Sequence, residues 1–189
     1  NYLQATATPI PRTTALITHG AMNVSIIKEM PVAKTITSLV VTADEARRLF
    51  DHTRKVINSG GQVAIVYPIV NDEEQEKKSV VAAFAEWNRR FPGLVGMVHG
   101  QMKEVEKLEA VDQLKAGILK IAIVSSVIEI GLTLPSLRSL VVVHAERYGT
   151  STLHQLRGRV ARRGGHGYFF MFLPQSISPE TMQRLQLVV

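Results

Sequence analysis

Cysteine is missing altogether from the 189 residues. That excludes a disulfide framework and a thiolate metal site, and it fits a reducing compartment. Long apolar runs are missing too. The longest are a handful of residues, as at Leu140 to Val143, far short of the roughly 20 a helix needs to span a bilayer. The opening Asn1-Tyr-Leu-Gln-Ala-Thr6 has no basic stretch followed by an apolar one, so it does not read as a secretory signal. It also lacks an initiator methionine, as expected of a piece of a longer protein. No internal repeat and no low-complexity tract is present.

What is there is globular composition, 46% hydrophobic and 20% charged, enough for a real core. The length fits one domain comfortably. A net charge of +6 favours a polyanionic partner such as nucleic acid or nucleotide phosphates.

Residues 1–34 carry Pro9, Pro11 and Pro31 without a long period and read as an entry linker, extended or turning before each proline, with room for a short helix between Ala15 and Lys28. From Thr35 the pattern is regular. Thr35 to Val41 reads as a strand. Thr42 and Glu45 read as a capping box opening a helix with Ala46, Leu49, Phe50, Val56 and Ile57 inward, ended by Gly60-Gly61. A strand from Val63 to Tyr67 is followed by an acidic loop, Asn71 to Glu76, and a helix carrying Val80, Phe84, Trp87 and Phe91. Leu94 to Val98 is the next strand. A helix from Lys103 to Lys115 follows, with Val105, Leu108, Val111 or Asp112, and Leu114 along its face. Leu119 to Val124, Leu137 to Val143 and Gly167 to Leu173 complete the strands. A helix through Gln155 precedes the last of these, and Ser178-Pro179 opens a final one.

Strands of near-continuous Val, Ile and Leu alternating with amphipathic helices predict an α/β domain: one parallel sheet of about six strands, covered by helices on both faces. Ligands of such sheets bind beyond the carboxyl ends of the strands. That directs attention to His99-Gly100, Ser125-Ser126, His144-Ala-Glu-Arg147 and the lead into Gln155. Gln155 to Arg163 holds four arginines in seven residues: Arg157, Arg159, Arg162 and Arg163. On a helix Arg159 and Arg162 are i and i+3 and share a face, with Gln155 one turn earlier. Such a face suits bidentate grip on phosphate oxygens; the alternative is a solvated basic face.

Thr6-Ala-Thr-Pro-Ile-Pro-Arg12, Val98-His-Gly-Gln-Met102, Val127-Ile-Glu-Ile-Gly131 and Leu153-His-Gln-Leu-Arg-Gly-Arg-Val160 stand in the order and spacing of superfamily 2 helicases. The chain resembles most the motor part of the RecG family, bacterial ATP-dependent DNA helicases that remodel stalled replication forks. Val24-Ser-Ile-Ile-Lys-Glu-Met-Pro31 and Val66-Tyr-Pro68 favour that family over the related transcription-repair coupling translocases. The resemblance implies a RecA-like helicase C-terminal domain of the phosphate-loop NTPase type over residues 35–189, truncated before the segment that follows the arginine motif. Residues 1–34 would be helicase motif III and an inter-domain linker.

It also implies roles. Arg159 and Arg162 match motif VI and would act as arginine fingers, meeting a γ-phosphate across a cleft. Gln155, Gly131 and Thr133 would face the nucleotide. Thr6, Thr8, His99, Gly100, Ser125, Ser126 and Arg157 would contact nucleic acid, and Glu129 is read as structural or electrostatic, not as a catalytic base. ATP and Mg²⁺ would be held mainly by the first motor domain of the full-length protein. The partners implied are DNA (branched, duplex or single-stranded, gripped by its backbone) and the amino-terminal motor and wedge domains of the same protein. A membrane is not among them, and the expected place is the bacterial cytoplasm at the nucleoid.

Three positions depart from the family pattern. Motif V, usually Gly-Val-Asp-Val-Pro, is Gly131-Leu-Thr-Leu-Pro135. Thr133 can hydrogen-bond but supplies no negative charge. Ala161 stands where motif VI usually has glycine, and Pro31-Val-Ala-Lys34 replaces Pro-Pro-Gly-Arg. Neither a Gly-x-x-x-x-Gly-Lys-Ser/Thr loop nor an Asp-Glu-x-His motif occurs, so the chain is expected to be half of a motor, inactive alone. A non-catalytic nucleic-acid-binding module on a degenerate helicase scaffold, supported by Thr133, and a coupling translocase are the alternatives.

Overall fold

The computed structural model describes residues 32–68, 73–125 and 134–189, with the backbone alone for 73–78. Among the described residues are six strands, β1 (Lys34–Thr42), β2 (Gln62–Val66), β3 (Val95–Val98), β4 (Ile121–Val124), β5 (Leu137–Val143) and β6 (Gly165–Leu173), and five α-helices. These are α1 (Ala46–Asn58), α2 (Glu73–Arg90), α3 (Glu104–Lys115), α4 (Thr150–Arg157) and α5 (Pro179–Gln186). The sheet order is β1-β6-β5-β2-β4-β3, and every pairing is parallel, as the sequence leads one to expect.

Alternation along the strands sends side chains into two cores. Ile65, Ile123, Val141 and Phe170 pack with Leu49 and Val56 of α1 and Val80 and Trp87 of α2. Ala64, Ala122, Leu140, Phe169 and Met171 pack with Leu114 of α3, Leu153 and Leu156 of α4 and Leu185 of α5. One polar side chain is buried between strands with its bonds made. Gln62 donates to the carbonyls of Leu114 (2.7 Å) and Leu119 (3.1 Å) and accepts from the Ser136 amide, tying α3 and the entry to β5 onto β2.

Four local expectations are corrected. No capping box forms at Thr42: its side chain makes no cap bond but donates to Asp44, while Glu45 pairs with Arg48, and a short 3₁₀ turn, Ala43–Glu45, leads into α1. The acidic stretch read as a loop to Glu76 already belongs to α2 from Glu73. Glutamate is a good helix former, so an acidic run is no sign of a loop. In α3, Val105 and Leu108 are 76% and 53% exposed. The inward face is Lys107, Ala110, Val111 and Leu114, spaced i, i+3, i+4, i+7, whereas the frame starting at Val105 runs through Asp112 to the opposite side. Fourth, the arginine stretch is helical only as far as Arg157. Thr6, Thr8, Ser126, Gly131 and Thr133, and the short helix expected between 15 and 28, lie outside the described residues.

Candidate nucleotide and nucleic-acid interface

The described candidate residues fall at opposite ends of the sheet. Helix α4 begins beyond the carboxyl end of β5 and runs back over the sheet on Leu153 and Leu156, both buried. It ends at Arg157, so Arg159 and Arg162 do not share a helix face; they sit in the turns that return the chain to β6. Gly158 follows the helix, and Ala161 takes a left-handed backbone, φ 51°. A helix continued through that residue is impossible, which is why the i, i+3 expectation fails. It also makes glycine, the usual family residue there, the conformationally easier choice.

The loop is nevertheless held firmly. Val160 and Ala161 are buried, and the Ala161 amide donates to the carbonyl of Leu137, the first residue of β5 (3.0 Å). Gly167 of β6 makes room for it. A Cβ at Gly167 would lie 2.5 Å from Val160 Cγ1 and 3.0 Å from Ala161 Cβ. Arg157 Nε donates to the buried Ser38 hydroxyl of β1 (2.8 Å). Lys34, first in β1, donates through Nζ to the carbonyls of Gly158 (2.9 Å) and Val160 (3.4 Å). Carbonyls at a helix end lack partners within the helix, and a cation there is favoured.

The arginine loop therefore stands at the amino ends of the strands, and not among the carboxyl-end loops singled out from the sequence. It is strongly cationic. Burial, then the charges of Arg162 and Arg157, hold the Lys34 ammonium below its ordinary pKa. Burial, then Arg162, lowers that of the Arg159 guanidinium. Among the described residues no ion pair involves Lys34, Arg157 or Arg162. Arg162 and Arg163 are exposed and, with Arg138, Gly61 and Pro135, line a pocket of about 140 Å³. Gln155 is exposed on the last turn of α4. Cations of this kind fit phosphate oxygens; they do not fit a metal ion.

At the other edge, roughly 20 Å away along β5 at 3.3 Å per residue, His99 and Ser125 end the paired strands β3 and β4. His99 is buried, its Nδ1 accepting from the Gln101 amide (3.3 Å). Gly100 is exposed, with open space where a Cβ would stand and no positive φ. No described neighbour requires a glycine there. Ser125 is fully buried and its amide donates to the Val98 carbonyl (3.3 Å), so as placed it offers surrounding solvent no hydroxyl. Tyr67, just past β2, has its phenol pushed up to about 12 by burial and by Glu86. His144, just past β5, has φ 53° and its Nδ1 is 2.9 Å from Glu146. Arg184 of α5 donates to the carbonyls of Glu146 and Tyr148, fixing where α4 starts.

Sequence reasoning missed Lys34, Ser38 and Gly167 as parts of the site. Lys34 was visible only as a departure from a family pattern and Gly167 only as the start of a strand. What makes them matter is β1 lying beside β6, a neighbour relation the sequence does not display.

Residues 47–164 match the helicase conserved C-terminal domain family. The chain is 39% identical to the ATP-dependent DNA helicase RecG of Synechocystis sp. over 97% of its own length and 22% of the relative's. For RecG of Acidithiobacillus ferridurans the identity is 33%, over 98% of this chain and 28% of the relative. A solved structure of RecG bound to a three-way DNA junction superposes with a TM-score of 0.75 at 33% identity, covering 96% of this chain and 24% of that one. The chain thus spans about a quarter of the length of these relatives. It belongs to the helicase conserved C-terminal domain family, and its likeness to RecG helicases runs through nearly its whole length.

Proposed function

We propose that the chain is the second motor domain of a RecG-type ATP-dependent DNA helicase that remodels branched DNA such as forks and Holliday junctions. The observation that carries this is the cationic loop at the amino edge. It is packed into place through Val160 and Ala161, yet Lys34, Arg157 and Arg162 have no carboxylate paired to them among the described residues. Like charges held together in this way repel, and an incoming polyphosphate relieves that repulsion.

In this reading Arg159 and Arg162 meet the terminal phosphate of ATP held by the first motor domain and stabilise charge as it develops. Such fingers are worth roughly 10³ to 10⁵ in rate in GTPase systems. Gln155, with Gly131 and Thr133, borders the same nucleotide. Mg²⁺, which neutralises phosphate charge when bound, belongs to the first domain, since the donors here are cationic. This chain alone hydrolyses negligible ATP, having no phosphate loop. His99, Gly100, Ser125 and Ser126, with Thr6, Thr8 and Arg157, are the residues assigned to the DNA backbone; of those described, only Gly100 is exposed, His99 and Ser125 are buried, and Arg157 lies at the opposite, arginine-loop end. Gly100 supports this by being exposed where nothing in the described fold demands glycine. Ser125 and His99 are the weakest of that group because they are buried, and Arg157 is already engaged by Ser38.

Thr133 favours a second reading, a binding module that has lost turnover. An intact phosphate loop in the parent protein separates the two. The direct test is Arg162→Ala in the full-length protein with fork DNA present. ATP hydrolysis is expected to fall at least 10³-fold, following the finger magnitudes above, while fork binding persists. Normal hydrolysis would falsify the finger assignment.

A further inference from the structure

The entry to the domain and the arginine loop are one piece of structure. Gly165 donates its amide to the Ala33 carbonyl (3.1 Å), and β1 and β6 are in register from Lys34 against Gly165 onward. Gly164, with φ +87°, lies so close to Val32 that a Cβ there would stand 2.4 Å from Val32 Cγ1 and 3.0 Å from the Ala33 carbonyl. Val32 and Ala33 are thus laid against the exit of the loop, and Lys34 reaches back to its start. The two carbonyls Lys34 takes, Gly158 and Val160, are those immediately before and after the peptide unit of Arg159.

We infer that Lys34 is a positioning residue for the arginine loop: its ammonium, bonded to the Gly158 and Val160 carbonyls, fixes the backbone on both sides of Arg159. A lysine in that place has an electrostatic cost, since Arg157 and Arg162 are near enough to disfavour its charge. A cation kept among like charges, with its donors on loop carbonyls, is poorly explained as general surface solubility. Arginine, which the family pattern carries at this position, offers more donors in a planar fork and reaches the same two oxygens. The residues entering the domain and the loop that presents Arg159 are therefore tied to one another. This rests on the finger reading of Arg159 and Arg162.

The test is made in the full-length protein with three variants: Lys34→Ala, Lys34→Arg and Arg162→Ala. Amide hydrogen exchange without nucleotide should show residues 158–164 exchanging at least 10-fold faster in Lys34→Ala, with the remaining amides of the domain unchanged. Its kcat for ATP should fall at least 10-fold with KM within about 2-fold, the pattern of an interaction made in the transition state. Lys34→Arg should restore both loop protection and kcat. Wild-type exchange and kcat in Lys34→Ala would overturn the proposal. So would a raised KM at unchanged kcat, which marks a group that binds nucleotide directly. If Arg162→Ala hydrolyses ATP normally, the finger reading itself falls. If it is inactive while Lys34→Ala is normal, only the positioning role falls.

Discussion

Ala161 concentrates the strain of the arginine loop in one residue. Its positive φ costs an L-residue roughly 1–2 kcal/mol, while its buried methyl returns about 0.8 kcal/mol. Ala161→Gly is therefore expected to change stability by less than about 1 kcal/mol. Ala161→Val forces a β-branched side chain into the same backbone beside Gly167 and should cost roughly 2 kcal/mol or more, read from denaturant unfolding. His52 is a second informative residue. Its ring is edge-on to Tyr168 and Phe170, and burial, with help from Lys55, holds its pKa below the usual 6.5. The unfolded chain then takes up a proton first as pH falls. Stability conferred by neutral His52 is full above about pH 6.5 and declines below it until the folded-state pKa is reached. Replacing His52 with phenylalanine should flatten the fall in melting temperature between pH 7 and 5; an unchanged slope would assign the acid sensitivity elsewhere.

At the scale of elements, the arginine loop depends on strands it does not belong to. Gly167→Ala places a methyl 2.5 Å from Val160 Cγ1 and should push the loop outward, costing about 1–3 kcal/mol as overpacking does. The strands were legible because each is a short run of Val, Ile and Leu between turn residues; β5 has the bounds expected of it, Leu137–Val143. Helix faces were less legible. α3 carries apolar residues on two sides, and only contact with the sheet decides which is inward. The arginine stretch failed as a helix because Gly158 and Ala161 end it, and a run of charges gives no sign of a left-handed residue. Resemblance picked out Arg159 and Arg162. Nothing in the sequence reported that β1 would lie beside β6 and put Lys34 beneath them.

For the whole molecule, the two groups of candidate residues that are described stand at opposite ends of the sheet. One edge is cationic and suited to phosphates; the other ends in His99, Gly100 and Ser125. Parallel, doubly covered architecture was readable from alternation alone, but the strand order, and hence which loops share an edge, was not. A net charge of +6 and the proposed contacts to the DNA backbone lead to a further expectation. DNA binding by this chain should be weak, indifferent to sequence and lost as salt rises from 50 to 200 mM, since phosphate contacts release counterions. Tight binding to one sequence at physiological salt would point to a specific DNA reader. The central claim, that particular arginines and not general positive charge complete the ATP site, is tested most directly by two neighbours. Arg162 and Arg163 are both exposed and line the same pocket. Measured as kcat for ATP in the full-length protein with fork DNA, Arg162→Ala is expected to lose at least 10³-fold and Arg163→Ala less than about 3-fold, within roughly 0.7 kcal/mol of wild type. Equal losses in the two variants, or a normal rate in both, would contradict it.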